Sequence, residues 1–155
     1  MRDDPPLPPV MAHWFAARGW SLRQHQRAML AADAARRVAV LVSATGSGKT
    51  LAGFLPSLID LAMAPTDTLH TLYVSPLKAL ANDIERNLSA PVAEMGLPIT
   101  IETRTGDTGA SIKARQRMRP PHILLTTPES LSLLLAHPDA PWLFGSLRRI
   151  IVDEV

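Results

Sequence analysis

Apolar residues recur along this chain in two rhythms. In "MAHWFAARGW" (11–20) and "SLRQHQRAMLAADAA" (21–35) they return every three to four positions, which predicts two short helices divided by Gly19, with Ser21 as a candidate N-cap. "VAVLVS" (38–43) is instead a continuous valine-rich run ending in a glycine loop, the pattern of a strand covered on both faces. "HTLYVS" (70–75), "ITIETR" (99–104), "HILLTT" (122–127) and "RRIIVDE" (148–154) predict four more strands, and amphipathic segments near 49–63, 77–93, 110–118 and 129–136 fall between them. Strands alternating with helices imply parallel pairing through right-handed crossovers, hence an α/β sheet flanked by helices. The prolines of "MRDDPPLPPV" cannot sustain a helix, so residues 1–9 read as a lead-in and residues 10–155 as one domain.

The loop "SATGSGKT" (43–50) lies between the first predicted strand and a helix. Gly46 and Gly48 permit backbone angles that let successive N–H groups converge on one concavity, where phosphate oxygens fit. Lys49 would reach the β- and γ-phosphates, Thr50 would offer its hydroxyl to Mg²⁺, and the helix would direct its positive N-terminus at the same anion. Ser43 stands where the phosphate-loop pattern begins with glycine or alanine. The competing reading is an ordinary glycine-rich turn, and the strand–loop–helix context favours the phosphate loop. About a hundred residues on, "RRIIVDE" ends a strand in Asp153 and Glu154, a carboxylate to hold Mg²⁺ and a general base to polarise an attacking water.

Composition changes this picture little. With 155 residues, 46% of them apolar, the chain can bury a core. The net charge of +2 argues weakly for a nucleic-acid partner, so any such partner must be argued from local sites. Absent cysteine excludes disulfides and thiolate metal sites. The acidic, proline-rich start has no signal-peptide pattern and no apolar run reaches membrane-span length, so the expectation is a cytoplasmic protein with no membrane partner. On a helix, Lys113, Arg115, Arg117 and Arg119 of "KARQRMR" spread over two faces and read as a solvated surface. His13, His25, His70, His122 and His137 lack metal-ligand spacing and read as surface or edge residues.

Taken in order, "SATGSGKT", "SPLKALANDI", "TGDT", "TTPESL" and "VDEV" resemble the first RecA-like domain of superfamily 2 helicases, and among these the large helicase-related group, in particular its ligase-associated DEXH-box type. The resemblance covers essentially the whole chain after the lead-in. It implies ATP and Mg²⁺ as cofactors, with Lys49, Asp153 and Glu154 catalytic, Thr50 and Asp153 at the metal, and Ala44, Thr45, Gly46, Ser47, Gly48, Lys49 and Thr50 around the phosphates. Gln26 in "LRQHQ" is similar to the glutamine that reads adenine in these helicases, with Arg23 adding a contact and Trp20 stacking near the base. Ser75, Pro76, Lys78, Thr105, Gly106, Asp107, Thr127 and Pro128 would grip the backbone of single-stranded DNA, more than RNA, without reading sequence. Thr127-Pro128-Glu129 also reads as a helix cap.

The same resemblance implies a second RecA-like domain that this chain lacks, carrying arginine fingers. It further implies that a strand following the Asp-Glu motif would lie beside the phosphate-loop strand, so that a sheet truncated after "VDEV" exposes an apolar edge. ATP-dependent helicase action in DNA repair is then expected of the complete protein and not of this piece alone. Other classes that use a phosphate loop remain open: a small-molecule kinase, whose acceptor pocket and lid are not visible in the sequence, or a non-catalytic nucleotide-binding scaffold.

Overall fold

The computed structural model describes residues 6–42 and 48–154. Ser43, Ala44, Thr45, Gly46 and Ser47, and with them most of the predicted phosphate loop, lie outside the described residues. Four short strands, β1 (Thr71–Val74), β2 (Ile101–Arg104), β3 (Ile123–Thr126) and β4 (Arg149–Val152), form one parallel sheet in the order β2-β3-β1-β4. Helices α1 (Pro9–Ala17), α2 (Gln24–Ala34), α3 (Lys49–Met63), α4 (Lys78–Glu94), α5 (Ala110–Met118), α6 (Pro128–Leu135) and α7 (Ala140–Phe144) surround it. The five-residue α7 is not among the elements that periodicity predicts.

Alternation along the strands sorts the core into two layers. Tyr73, Ile123 and Leu125 turn to one face and pack with Phe54, Leu55 and Leu58 of α3, Ile84 and Leu88 of α4, and Met11, Trp14 and Phe15 of α1. Leu72 and Leu124, facing each other in register, turn to the opposite face against Leu134 of α6 and Leu143 of α7. Each such side chain contributes about 1.5–3 kcal/mol by leaving water. This two-sided burial is why β3 reads as an unbroken apolar run.

The predicted strand at 38–43 requires correction. Residues 37–42 form no strand, and Val38, Val40 and Val42 are 100%, 87% and 91% exposed. A strand persists only where its N–H and C=O groups find a ladder, and β4, the end strand, has no neighbour on its outer edge among the described residues. The open side is therefore that of β4, where Ile150 and Val152 are 60% and 58% exposed, and not that of a phosphate-loop strand as the resemblance implies.

Two smaller expectations also change. Helix α2 begins at Gln24 with Arg23, not Ser21, at its N-cap, and the Arg23 N–H donates to Gln26 Oε1 at 2.9 Å. The cap is supplied from inside the helix, so Ser21 is not needed there. His70, expected at the surface or an edge, is buried. Its Nδ1 bonds Thr71 Oγ1 at 2.8 Å and its Nε2 lies 3.4 Å from Asp60. These belong to a polar cluster in which Arg149, at the start of β4, pairs with Asp33 of α2 and with Asp60 (3.1 Å) and Ser57 (3.0 Å) of α3. Burial pushes the His70 pKa down, and the Asp60 carboxylate only partly offsets it.

Candidate nucleotide site and nucleic-acid face

Because the strands are parallel, Ser75, Thr127 and Asp153 follow three of them at one edge of the sheet. Helix α3 runs back across that sheet. Its Ser57 and Asp60 reach Arg149 at the start of β4, while the Phe54 ring sits 5.6 Å from that of Tyr73, whose hydroxyl bonds Asp153 beyond the end of β4. At about 1.5 Å of rise per residue, Lys49 and Thr50, the first two residues of α3, therefore lie toward the carboxyl edge that carries Asp153. Lys49 is exposed and Thr50 half-buried.

Gly48 is the N-cap of α3 at φ +81°, a left-handed conformation that side chains rarely adopt. The space for one is also tight. A β-carbon there would stand 3.1 Å from Gln26 Nε2 and 3.8 Å from Arg23 Cδ.

Beside this turn opens a cleft of about 660 Å³ lined by Trp14, Trp20, Arg23, Gln26, Gly48 and Thr50, with Asn87, Pro91 and Glu94 of α4 opposite. The end of α1 delivers Trp20 to it: Gly19, at φ +65°, donates to Ala16 O and Trp20 N–H returns to Phe15 O, the paired bonds that stop a helix and reverse the chain. Gln26 is buried at 3% exposure, and its Oε1 already accepts from Arg23. The amide pairs this acceptor with a donor, Nε2, a combination that matches adenine N7 and its N6 amine.

Three residues that sequence reasoning missed frame this cleft. Trp14 Nε1 donates to Glu94 Oε2 at 2.9 Å, Arg18 pairs with the same carboxylate, and the Arg18 guanidinium lies 4.2 Å over the Trp14 ring and 5.8 Å from Trp20. Trp14 and Trp20 meet edge to face at 5.6 Å. The aromatic spacing hinted at the pair; Glu94, 76 residues from Arg18, left no local signal.

Asp153 is half-buried and Glu154 exposed. The Tyr73 hydroxyl donates to Asp153 Oδ2 at 2.8 Å, and Asp153 Oδ1 accepts the Glu154 N–H at 2.9 Å. Burial raises the Tyr73 pKa, and its bond to the Asp153 carboxylate raises it further, so the phenol stays a donor. Among the described residues no group of three or more acidic or histidine side chains gathers to cage a metal. The donors on offer are one carboxylate, Asp153, and one hydroxyl, Thr50. Such a sparse, hard-oxygen set fits Mg²⁺, which takes its remaining ligands from nucleotide phosphates and water.

The predicted nucleic-acid contacts divide by burial. Ser75, Thr105 and Thr127 are buried, whereas Pro76, Lys78, Gly106, Asp107 and Pro128 are exposed. The buried three shape the loops: Ser75 Oγ accepts Leu77 N–H (3.4 Å), Thr105 Oγ1 accepts Asp107 N–H (3.2 Å), and Thr127 is the N-cap of α6 with Pro128 in its first turn. Three of the exposed ones come together, since Lys78 Nζ lies 3.3 Å from Asp107 and a β-carbon on Gly106 would meet it at 3.4 Å. Behind them Arg104 is buried, bonded to Lys113 O and Gln116, while Arg115 of the basic run pairs with Glu102 and Arg117 lies 4.0 Å from Asp139. Two of those cations are thus engaged within the domain.

Residues 23–155 match the family model described as DEAD/DEAH box helicase. An ATP-dependent helicase Lhr-Core of Methanothermobacter thermautotrophicus is 40% identical over 96% of this chain and 19% of its own length. A solved structure of the Mycobacterium smegmatis helicase Lhr bound to ssDNA and AMP-PNP superposes with a TM-score of 0.84 at 38% identity, covering 96% of this chain and 20% of that one. The helicase MrfA bound to DNA and AMPPNP gives 0.84 at 32% identity over 98% and 21%. This chain thus shares the RecA-like α/β fold and spans about a fifth of the length of these relatives. Among the described residues no helix is long and apolar enough to cross a membrane.

Proposed function

Since this chain belongs to the DEAD/DEAH box helicase family, we propose that it is the ATP-binding part of an ATP-dependent helicase or translocase acting on single-stranded DNA, cytoplasmic and serving DNA repair. One observation carries the reading. The Gly48–Lys49–Thr50 turn and Asp153–Glu154 share the carboxyl edge of the sheet, through the chain of contacts Phe54–Tyr73–Asp153, with the Gln26 cleft beside them. Solved relatives of this fold hold AMP-PNP or AMPPNP together with DNA.

In this reading Gln26 and Trp20 hold the adenine, Arg23 flanks it, and the loop that leads through Gly48 into Lys49 takes the phosphates. Lys49 neutralises charge on the β- and γ-phosphates, while Thr50 and Asp153 hold the metal. Bound Mg²⁺ supplies electrostatic stabilisation of the oxygens that gain charge. Glu154 takes a proton from water as its oxygen attacks the γ-phosphorus; the bond to the β–γ bridging oxygen breaks, leaving ADP and inorganic phosphate. The exposed loops at Pro76–Lys78, Gly106–Asp107 and Pro128 meet the sugar-phosphate backbone through main-chain N–H groups and Lys78, giving sequence-tolerant binding. In the full-length protein, arginine fingers from a second RecA-like domain complete the site. In the full-length protein, ATPase activity should rise when single-stranded DNA is added, and Lys49→Ala should abolish turnover while leaving DNA binding largely intact. DNA-independent phosphate transfer to a small acceptor would refute the proposal.

A further inference from the structure

Tyr73 is the only tyrosine in the chain, and it sits in the middle of β1 at 1% exposure. Its ring packs against Phe54 within an otherwise apolar layer, where phenylalanine would fill the same space with no hydroxyl to satisfy. The hydroxyl has a specific partner. It donates to Asp153 Oδ2, one strand over and just past the register pair Tyr73–Ile151, while Oδ1 of the same carboxylate is held by the Glu154 N–H. Anchored at both oxygens, the carboxylate cannot turn about its Cβ–Cγ bond without losing a hydrogen bond, and each oxygen retains lone-pair capacity for a further ligand. Two residues on from Tyr73, just past the end of β1, Ser75 is the buried first residue of "SPLKAL", whose Lys78 is exposed on the predicted nucleic-acid face.

We propose that Tyr73 is a positioning residue for Asp153: from β1 it presets the carboxylate that meets the metal–nucleotide unit. The inference rests on the reading of Asp153 as the metal-holding group. A hydrogen bond that orients a metal-facing carboxylate acts on the metal's affinity more than on the nucleotide's, because the base cleft and Lys49 are untouched by it.

The test is Tyr73→Phe in the full-length protein, which keeps the ring and its contact with Phe54. A fluorescent ATP analogue is titrated in EDTA and then across a Mg²⁺ series. Expected are unchanged metal-free affinity, a Mg²⁺ requirement raised about 10- to 100-fold, and a lowered kcat that recovers at high Mg²⁺. In an Asp153→Asn background the Tyr73 substitution should add nothing. Wild-type Mg²⁺ dependence in Tyr73→Phe, or equal weakening with and without metal, overturns the positioning role. If Asp153→Asn by itself leaves Mg²⁺ dependence unchanged, the reading of Asp153 fails instead. A measurement on the wild-type protein covers the case of an unstable variant: with ¹³C-labelled tyrosine, the Tyr73 ring signal should shift when Mg²⁺ joins bound nucleotide, and a signal indifferent to Mg²⁺ overturns the proposal.

Discussion

Replacing Gly48 by alanine probes the junction between the base cleft and the phosphate turn. Two costs arise at once. The residue holds φ at +81°, where a β-carbon costs about 1–2 kcal/mol. The new methyl would also stand 3.1 Å from Gln26 Nε2, and that amide cannot swing aside freely, because its other end accepts the Arg23 N–H at 2.9 Å. Giving up that bond costs about 1 kcal/mol. Together they make about 2–3 kcal/mol, set mostly against nucleotide binding, since the free turn can relax while the bound one must hold its shape. Affinity for a fluorescent ATP analogue should therefore fall roughly 30- to 150-fold, with a small change in Tm. The double variant Gly48→Ala/Gln26→Ala separates the two costs. With Gln26 shortened, only the backbone cost remains, so the effect of Gly48→Ala should shrink by about fivefold. Strict additivity of the two substitutions would refute the contact, and an unaltered affinity in the single variant would refute the role of the turn.

Other expectations follow from the same coordinates. Glu94→Ala removes the shared acceptor of Trp14 and Arg18, an exposed pair contributing at most about 1 kcal/mol plus one hydrogen bond of similar size; tryptophan emission should shift and nucleotide affinity weaken several-fold, and unchanged emission would show that Trp14 is held by other contacts. His70 has a folded-state pKa below its unfolded value of about 6.5, so the unfolded chain binds the extra proton and stability rises with pH. That contribution is present above about pH 6.5 and is lost as pH falls through the unfolded value toward the lowered folded one. Thermal melts should show Tm dropping between pH 7.5 and 5.5, with a shallower drop in His70→Gln; equal slopes would place the titration elsewhere.

Local pattern determined much of this protein. Strand–helix alternation specified a parallel α/β sheet, "SATGSGKT" and "VDEV" marked the candidate nucleotide site, and the ordered motifs pointed to the family, because each of these depends on residues adjacent in the chain or one helical turn apart. Long-range packing decided the rest. Val38 to Val42 reads as a buried strand, yet burial needs a neighbouring ladder, and among the described residues the edge of β4 stands open. Ser75, Thr105 and Thr127 look like surface hydroxyls until the sheet closes over them. Glu94 meets Arg18 and Tyr73 meets Asp153 across 76 and 80 residues of chain. Such pairings are made by the register of strands and the crossing of helices, and no window of sequence short enough to read by periodicity contains both partners.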